Sequence, residues 1–223
     1  DYSSFNARRR SRRVDPEKIR AVASVEAEAV PGPLLAPGLG ESVRHGVTTI
    51  CLGSCSLSTV HSSALDCADL FSRVEAVPRE HVLAALTEKK TWKNAADYAA
   101  FLDAQPLGPN VAAFLGHSDV RASVMGLGRA SDPAVRPEKA ELDRMEALLE
   151  EALDAGFLGL SSMRTQWDKL DGDRYRSRPL PSTFAARDER RRFDRILRRR
   201  GRVLQSAPNV ASAPDVFNYF FAS

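Results

Sequence analysis

Residues 45–58 read HGVTTICLGSCSLS, and the fold class turns on them. Val47 to Leu52 is a short apolar run rich in β-branched residues, entered through Gly46 and left through Gly53, which is the pattern of a strand buried on both faces. Cys55 falls just past the C-terminal end of that strand. In parallel α/β folds this is the edge where ligands and reacting groups gather, because the loops vary while the strands hold position.

Working outward, the same unit recurs. Ala64 to Val74, Arg79 to Leu86 and Asn94 to Ala104 read as helices, the last with Ala95, Tyr98, Ala99 and Leu102 at helical spacing. Val111 to Leu115 is a second apolar strand, running into Gly116-His117-Ser118. Glu138 to Ala155 is the clearest helix: Leu142, Met145, Leu148, Leu149, Ala152 and Leu153 form one apolar stripe, and Gly156 stands where a C-terminal cap belongs. Phe157 to Leu160 is a third strand ending in Ser161-Ser162. Phe184 to Arg200 is a basic helix closed by Gly201, and Arg202 to Ser206 is a fourth strand. The alternation predicts an α/β protein of parallel βα units. About four units are present, against eight in a complete TIM-type barrel, so the expected architecture is a partial (β/α)8 barrel over residues 38–223. Such a partial barrel leaves strand edges that need a cover or a partner. Residues 1–37, with an arginine cluster, an Ala/Val/Glu stretch and the PGPLLAPG breaker segment, are expected to be irregular.

Hydrophobic residues make up 43% and charged residues 27% of the 223, which suits a globular protein and excludes a disordered one. No apolar run approaches the roughly 20 residues of a membrane span, and the N-terminus shows no signal-peptide core, so a cytoplasmic protein without a membrane partner is expected. Three cysteines, Cys51, Cys55 and Cys67, do not suggest a disulfide framework. The net charge of +3 is unevenly spread, with arginines concentrated at residues 8–13 and 187–202. Such clusters can touch nucleic acid; the second is interleaved with Asp188, Glu189 and Asp194, as on a solvated helix face, and no nucleic-acid partner is expected.

The strand ends supply the candidate site residues. His117 and Ser118 end the second strand and Ser161 ends the third; with Arg121 one helical turn on, they are candidates for substrate binding. Arg121 suits a bidentate grip on a carboxylate, and a surface ion pair is the competing reading. A histidine satisfied by backbone hydrogen bonds competes with a substrate contact at His117. The stretch 163–183 is long for a loop inside a compact domain, which points to function, with a lid over a site as one form.

Residues 45–58, the run NVAAFLGHS at 110–118 with Arg121 and Met125-Gly126, and the run EALDAGFLGLSS at 151–162 resemble the N-acyl-D-amino-acid deacylase (D-aminoacylase) branch of the amidohydrolase superfamily. The resemblance implies a (β/α)8 barrel with a small β-domain, one or two zinc ions, and hydrolysis of the amide bond of an N-acylated D-amino acid or a similar small molecule. It matches Cys55 to the cysteine that family members use as a zinc ligand, and a thiolate suits Zn²⁺. Such a metal lowers the pKa of a bound water to about 7 and polarises the scissile carbonyl, while an aspartate takes and returns the proton. By the same resemblance the stretch 163–183, the wall loop, is a substrate-side wall that offers Trp167, against plain solvent exposure. The family's His-x-His pair, upstream of HGVTT, has no counterpart in this sequence. Its two further histidines and catalytic aspartate come from later strands and would fall beyond Ser223. Cys55 is thus the one metal residue matched, the catalytic residues are not identified, and the chain by itself is expected to be inactive or nearly so. The alternative is a non-catalytic truncated barrel that pairs its open sheet edges with itself or a partner.

Overall fold

The computed structural model of the chain describes residues 38–214 together with Val216 and Phe217; the segment 1–37, expected to be irregular, lies outside them. Four strands, β1 (Thr49–Leu52), β2 (Asn110–Gly116), β3 (Gly159–Met163) and β4 (Val203–Ala207), form one parallel sheet in the order β1-β2-β3-β4. Each crossover therefore moves one place in the same direction. A doubly wound sheet must reverse at a switch point, and this one does not. Steady one-way winding is that of a barrel wall, so the expected α/β partial barrel is what forms.

Eight α-helices accompany the sheet among the described residues: α1 (Gly40–Arg44), α2 (Ala64–Phe71), α3 (Arg79–Lys89), α4 (Ala95–Ala104), α5 (His117–Met125), α6 (Leu127–Ala130), α7 (Lys139–Asp154) and α8 (Arg187–Arg200). Their starts are written locally. Ser63 and Asn94 accept the Asp66 and Asp97 backbone N–H groups at the heads of α2 and α4, and Glu138 N–H donates to the Glu141 carboxylate at 2.8 Å in front of α7, satisfying donors that a helix start leaves unpaired. The α7 stripe of Leu142, Met145, Leu148, Leu149, Ala152 and Leu153 is buried throughout; each large apolar side chain so placed contributes about 1.5–3 kcal/mol. The basic helix α8 buries Phe193, Ile196 and Leu197. It turns three arginines to α7, where Arg192 meets Asp143 and Glu146, Arg199 meets Glu150, and Arg200 meets Glu150 and Asp154.

The two faces of the sheet differ. Ile50, Leu52, Leu115 and Leu160 join the helices in one large core, whereas Cys51, Ala112 and Phe114 of the sheet form a small separate cluster with Leu158, just ahead of β3. The two edges differ as well: Ile50, Cys51 and Leu52 of β1 are buried, but Val203 and Leu204 of β4 are 51% and 39% exposed.

The stretch 163–183 is mostly irregular, as expected, with a 3₁₀ turn at Pro181–Phe184 and one bridge between Lys169 and Pro179. It is fastened down. Leu170 and Leu180 are fully buried. The buried Asp69 of α2 accepts from Arg174 and Arg79, each at 2.7 Å, and its backbone carbonyl accepts from Asp171 N–H at 2.8 Å. Gly172 lies so close to that carboxylate that a Cβ there would sit 2.2 Å from Asp69 Oδ1. Among the described residues, no helix is long and apolar enough to cross a membrane.

Candidate active site

The turn after β1 runs over the end of β2. Cys55 (φ 55°) and Ser56 (φ 67°) are two successive non-glycine residues in the left-handed region, a conformation costing about 1–3 kcal/mol per residue that persists only when the surroundings impose it. Cys55 is half-buried there. The surroundings are specific. Ser118 N–H donates to Ser56 O at 3.0 Å, and the Ser56 and Ser118 hydroxyls share a 2.8 Å hydrogen bond. Gly116, the last residue of β2, lies directly under the turn: a Cβ on it would stand 2.5 Å from Leu57 C and Ser58 N and 2.6 Å from Ser56 O. Only glycine permits that approach.

Asp119, which sequence reasoning did not single out, fixes the rest of the loop. Its fully buried carboxylate accepts from Ser58 Oγ at 2.6 Å, Val60 N–H at 2.9 Å, His61 N–H at 3.1 Å and Ser62 N–H at 2.7 Å. Hydrogen bonds to a charged acceptor contribute about 1.5–3 kcal/mol each, and the first turn of α5 is where the helix dipole favours an acid. From the other side, Lys90 Nζ donates to the Thr59 and Val60 carbonyls and Trp92 Nε1 to Thr59 O.

Of the sequence-derived candidates, Ser118 and Ser161 converge on the Cys55 turn. Besides holding Ser56, the Ser118 hydroxyl bonds the Ser182 hydroxyl at 3.0 Å and accepts from Ser182 N–H at 3.1 Å, while Ser182 Oγ donates to Met163 O at 2.7 Å. Ser161 Oγ donates to Gly53 O, crossing over the side-chain-free Gly116, with which it is in register. Alternation along the strands puts Ser161 on the face of Cys51, Ala112 and Phe114.

His117 and Arg121 turn the other way, towards the helix layer. The His117 ring bonds Ser162 Oγ at 2.9 Å through Nδ1 and Glu189 Oε1 of α8 at 2.7 Å through Nε2. Arg121 Nη1 donates to Glu189 Oε2, so an ion pair does form, in the core rather than on the surface. All three side chains are at most 1% exposed. Burial alone would raise the Glu189 pKa; the hydrogen bond and charge of His117, with those of Arg121, more than offset it and hold the carboxyl at about 2, against an ordinary 4.5. Trp167 stands apart, 66% exposed on the wall loop, in a turn where Thr165 Oγ1 donates to the Asp168 carboxylate.

Asp119, Glu189, Ser56 and Ser182 belong to this constellation without a sequence signature, since each meets its partners from roughly 60 or more positions away. The one available signal is the density of hydroxyls over residues 54–63, SCSLSTVHSS, which inside a fold must find partners. As a metal site the described residues fall short. Among them no three His, Cys, Asp or Glu side chains come together to hold an ion, whereas zinc takes three or four protein ligands. Cys55 alone does not fit a zinc ion.

No family model matches the chain. An uncharacterized protein of Mycobacterium tuberculosis is 60% identical over 190 residues, covering 85% of this chain and 31% of its own length, and one of Mycobacterium bovis matches equally. An N-acyl-D-glutamate deacylase of Alcaligenes xylosoxydans xylosoxydans is 32% identical over 126 residues, 56% of this chain and 22% of its own. Among solved structures, a D-aminoacylase covers 89% of the chain at TM-score 0.63 and 23% identity, with 36% of its own length matched. The N-acyl-D-glutamate deacylase of Bordetella bronchiseptica, complexed with zinc and a phosphonate mimic of the tetrahedral intermediate, covers 83% at TM-score 0.56 and 26% identity, with 32% matched. The chain thus spans about a third of the length of its curated mycobacterial relatives. Its one-way parallel sheet and these likenesses agree: over part of their length, the chain is similar to N-acyl-D-amino-acid deacylases (D-aminoacylases) and shares their fold.

Proposed function

We propose that the chain is a section of the barrel wall of a zinc-dependent amidohydrolase that hydrolyses the amide bond of N-acyl-D-amino acids, and that it contributes Cys55 to a metal centre whose other ligands lie outside the described residues. The observation that carries this reading is the imposed left-handed turn at Cys55. A half-buried thiol is held at the C-terminal edge of the sheet in a conformation that the local sequence would not choose, and strain of this kind is kept where a site needs it. Ser118 and Ser161 act by holding that turn. Trp167, on its fastened loop, is a substrate-side wall residue. The bare flank of β4 is the seat of a further barrel strand. The described residues by themselves do not supply the ligands for metal-assisted hydrolysis, and on this reading the chain alone is inactive.

The test compares this chain with the complete amidohydrolase polypeptide carrying it, each with a Cys55→Ala counterpart, by elemental analysis after size fractionation and by deacylation of N-acyl-D-glutamate. The chain alone is expected to hold no stoichiometric zinc and show no turnover. The complete polypeptide is expected to hold zinc and turn over, and to lose both in the variant. Turnover that survives Cys55→Ala, or zinc held one per chain independently of Cys55, would overturn the assignment.

A further inference from the structure

Ser118, from another element, holds the backbone of the Cys55 turn at Ser56. Ser118 is fully buried at the second position of α5, and it uses its main chain and its side chain on the same neighbour: N–H to Ser56 O at 3.0 Å, and hydroxyl to the Ser56 hydroxyl at 2.8 Å. The same hydroxyl reaches the Ser182 hydroxyl at 3.0 Å and accepts from Ser182 N–H at 3.1 Å. Ser182 continues to Met163 O, and Thr183 Oγ1 donates to Thr165 O at 2.9 Å. A single oxygen therefore lies where the turn after β1, the start of α5 and the closing end of the wall loop meet. The Asp119 carboxylate binds further along, at residues 58–62.

We infer that Ser118 is a positioning residue: it imposes the left-handed conformation on Cys55 and Ser56, and it sets the place of that turn relative to the wall loop through Ser182. Neither residue is a glycine, so the chain would leave the left-handed region if released. Cys55 would then move from its half-buried seat towards an extended, solvated conformation. The importance of this placement rests on the reading of Cys55 as a site residue, but the placement itself is measurable without metal or substrate.

The experiment follows the rate at which dithionitrobenzoate modifies Cys55 in the metal-free 223-residue chain, with Cys55→Ala identifying its phase against the buried Cys51 and Cys67. Losing one hydrogen bond of ordinary strength changes a population about five- to tenfold. Ser118→Ala is expected to speed Cys55 modification by about that factor while Cys51 and Cys67 stay protected. Ser56→Ala, which removes the same bond from the other side, should do the same and decides the matter where Ser118→Ala does not fold. The double variant should be no faster than either single one. An unchanged Cys55 rate in a folded Ser118→Ala or Ser56→Ala chain, or equal acceleration of all three thiols, would overturn the inference and leave Ser118 as a packing residue. Loss of turnover in Cys55→Ala of the complete polypeptide is a separate measurement, so a failure of the metal assignment is told apart from a failure of the clamp.

Discussion

Replacing Glu189 by glutamine keeps the shape of the side chain and removes the charge that His117 and Arg121 share. The magnitude can be worked in two ways. A carboxyl held at about 2 instead of 4.5, at about 1.4 kcal/mol per tenfold, has its charged form favoured by roughly 3 kcal/mol. Independently, breaking a buried ion pair by removing one partner costs about 3–5 kcal/mol, because the remaining charge is left uncompensated. Arg121 is poorly placed to absorb the loss, since among the described residues its buried Nε and Nη2 already lack an acceptor. Glu189→Gln is therefore expected to lower stability by about 3–4 kcal/mol in urea unfolding at pH 7, or about 10 °C in midpoint for a chain of this size. The pH dependence has a definite sign. The folded-state value lies below the unfolded one, so the contribution is complete above about pH 4.5 and is lost as the pH falls towards 2. The wild-type chain should weaken across that window more steeply than the variant, and the two should approach each other at its acid end. A loss under about 1 kcal/mol at pH 7 with an unchanged denaturant slope, or identical acid slopes in the two chains, would refute the reasoning.

Three further outcomes are expected. Gly116→Ala places a Cβ 2.5 Å from the backbone of Leu57 and Ser58, which no side-chain movement relieves, and should cost at least about 3 kcal/mol in urea unfolding while altering Cys55 reactivity. Gly172→Ala drives a methyl into the Asp69 carboxylate that fastens the wall loop; trypsin should then cut after Arg174 or Arg176 at least several-fold faster, with the far-UV signal of the sheet retained. By contrast, Arg199→Ala on the exposed ladder between α7 and α8 should cost less than about 1 kcal/mol, and less still in high salt.

How much of this was legible in the sequence depends on whether the deciding interaction was local. The parallel strands were, because short apolar runs alternating with helical stretches have few other uses, and α7 was, because its stripe is periodic and capped. The strand limits shifted where polar residues belong to the sheet: β3 runs from Gly159 to Met163 through Ser161 and Ser162 rather than ending before them. Helix α5 was not foreseen. It opens on His117, Ser118 and Asp119 and carries Arg121 inside, all buried, and polar residues give no apolar period even when a fold encloses them. The same limit hid the polar constellation. Cys55 stood out by motif, but its conformation is imposed by Ser118 and Gly116, whose relation to it exists only after β1 and β2 pair.

The order in which the strands lie is also the order in which they are made. Each strand from β2 onward pairs with the strand that left the ribosome just before it, and each intervening helix group packs on the same face as its predecessor. Among these four strands, synthesis and assembly can proceed together, each finding its earlier partner already made. Among the described strands, the edge that advances as the chain grows is the newest one, the position that β4, with Val203 and Leu204 exposed, occupies here.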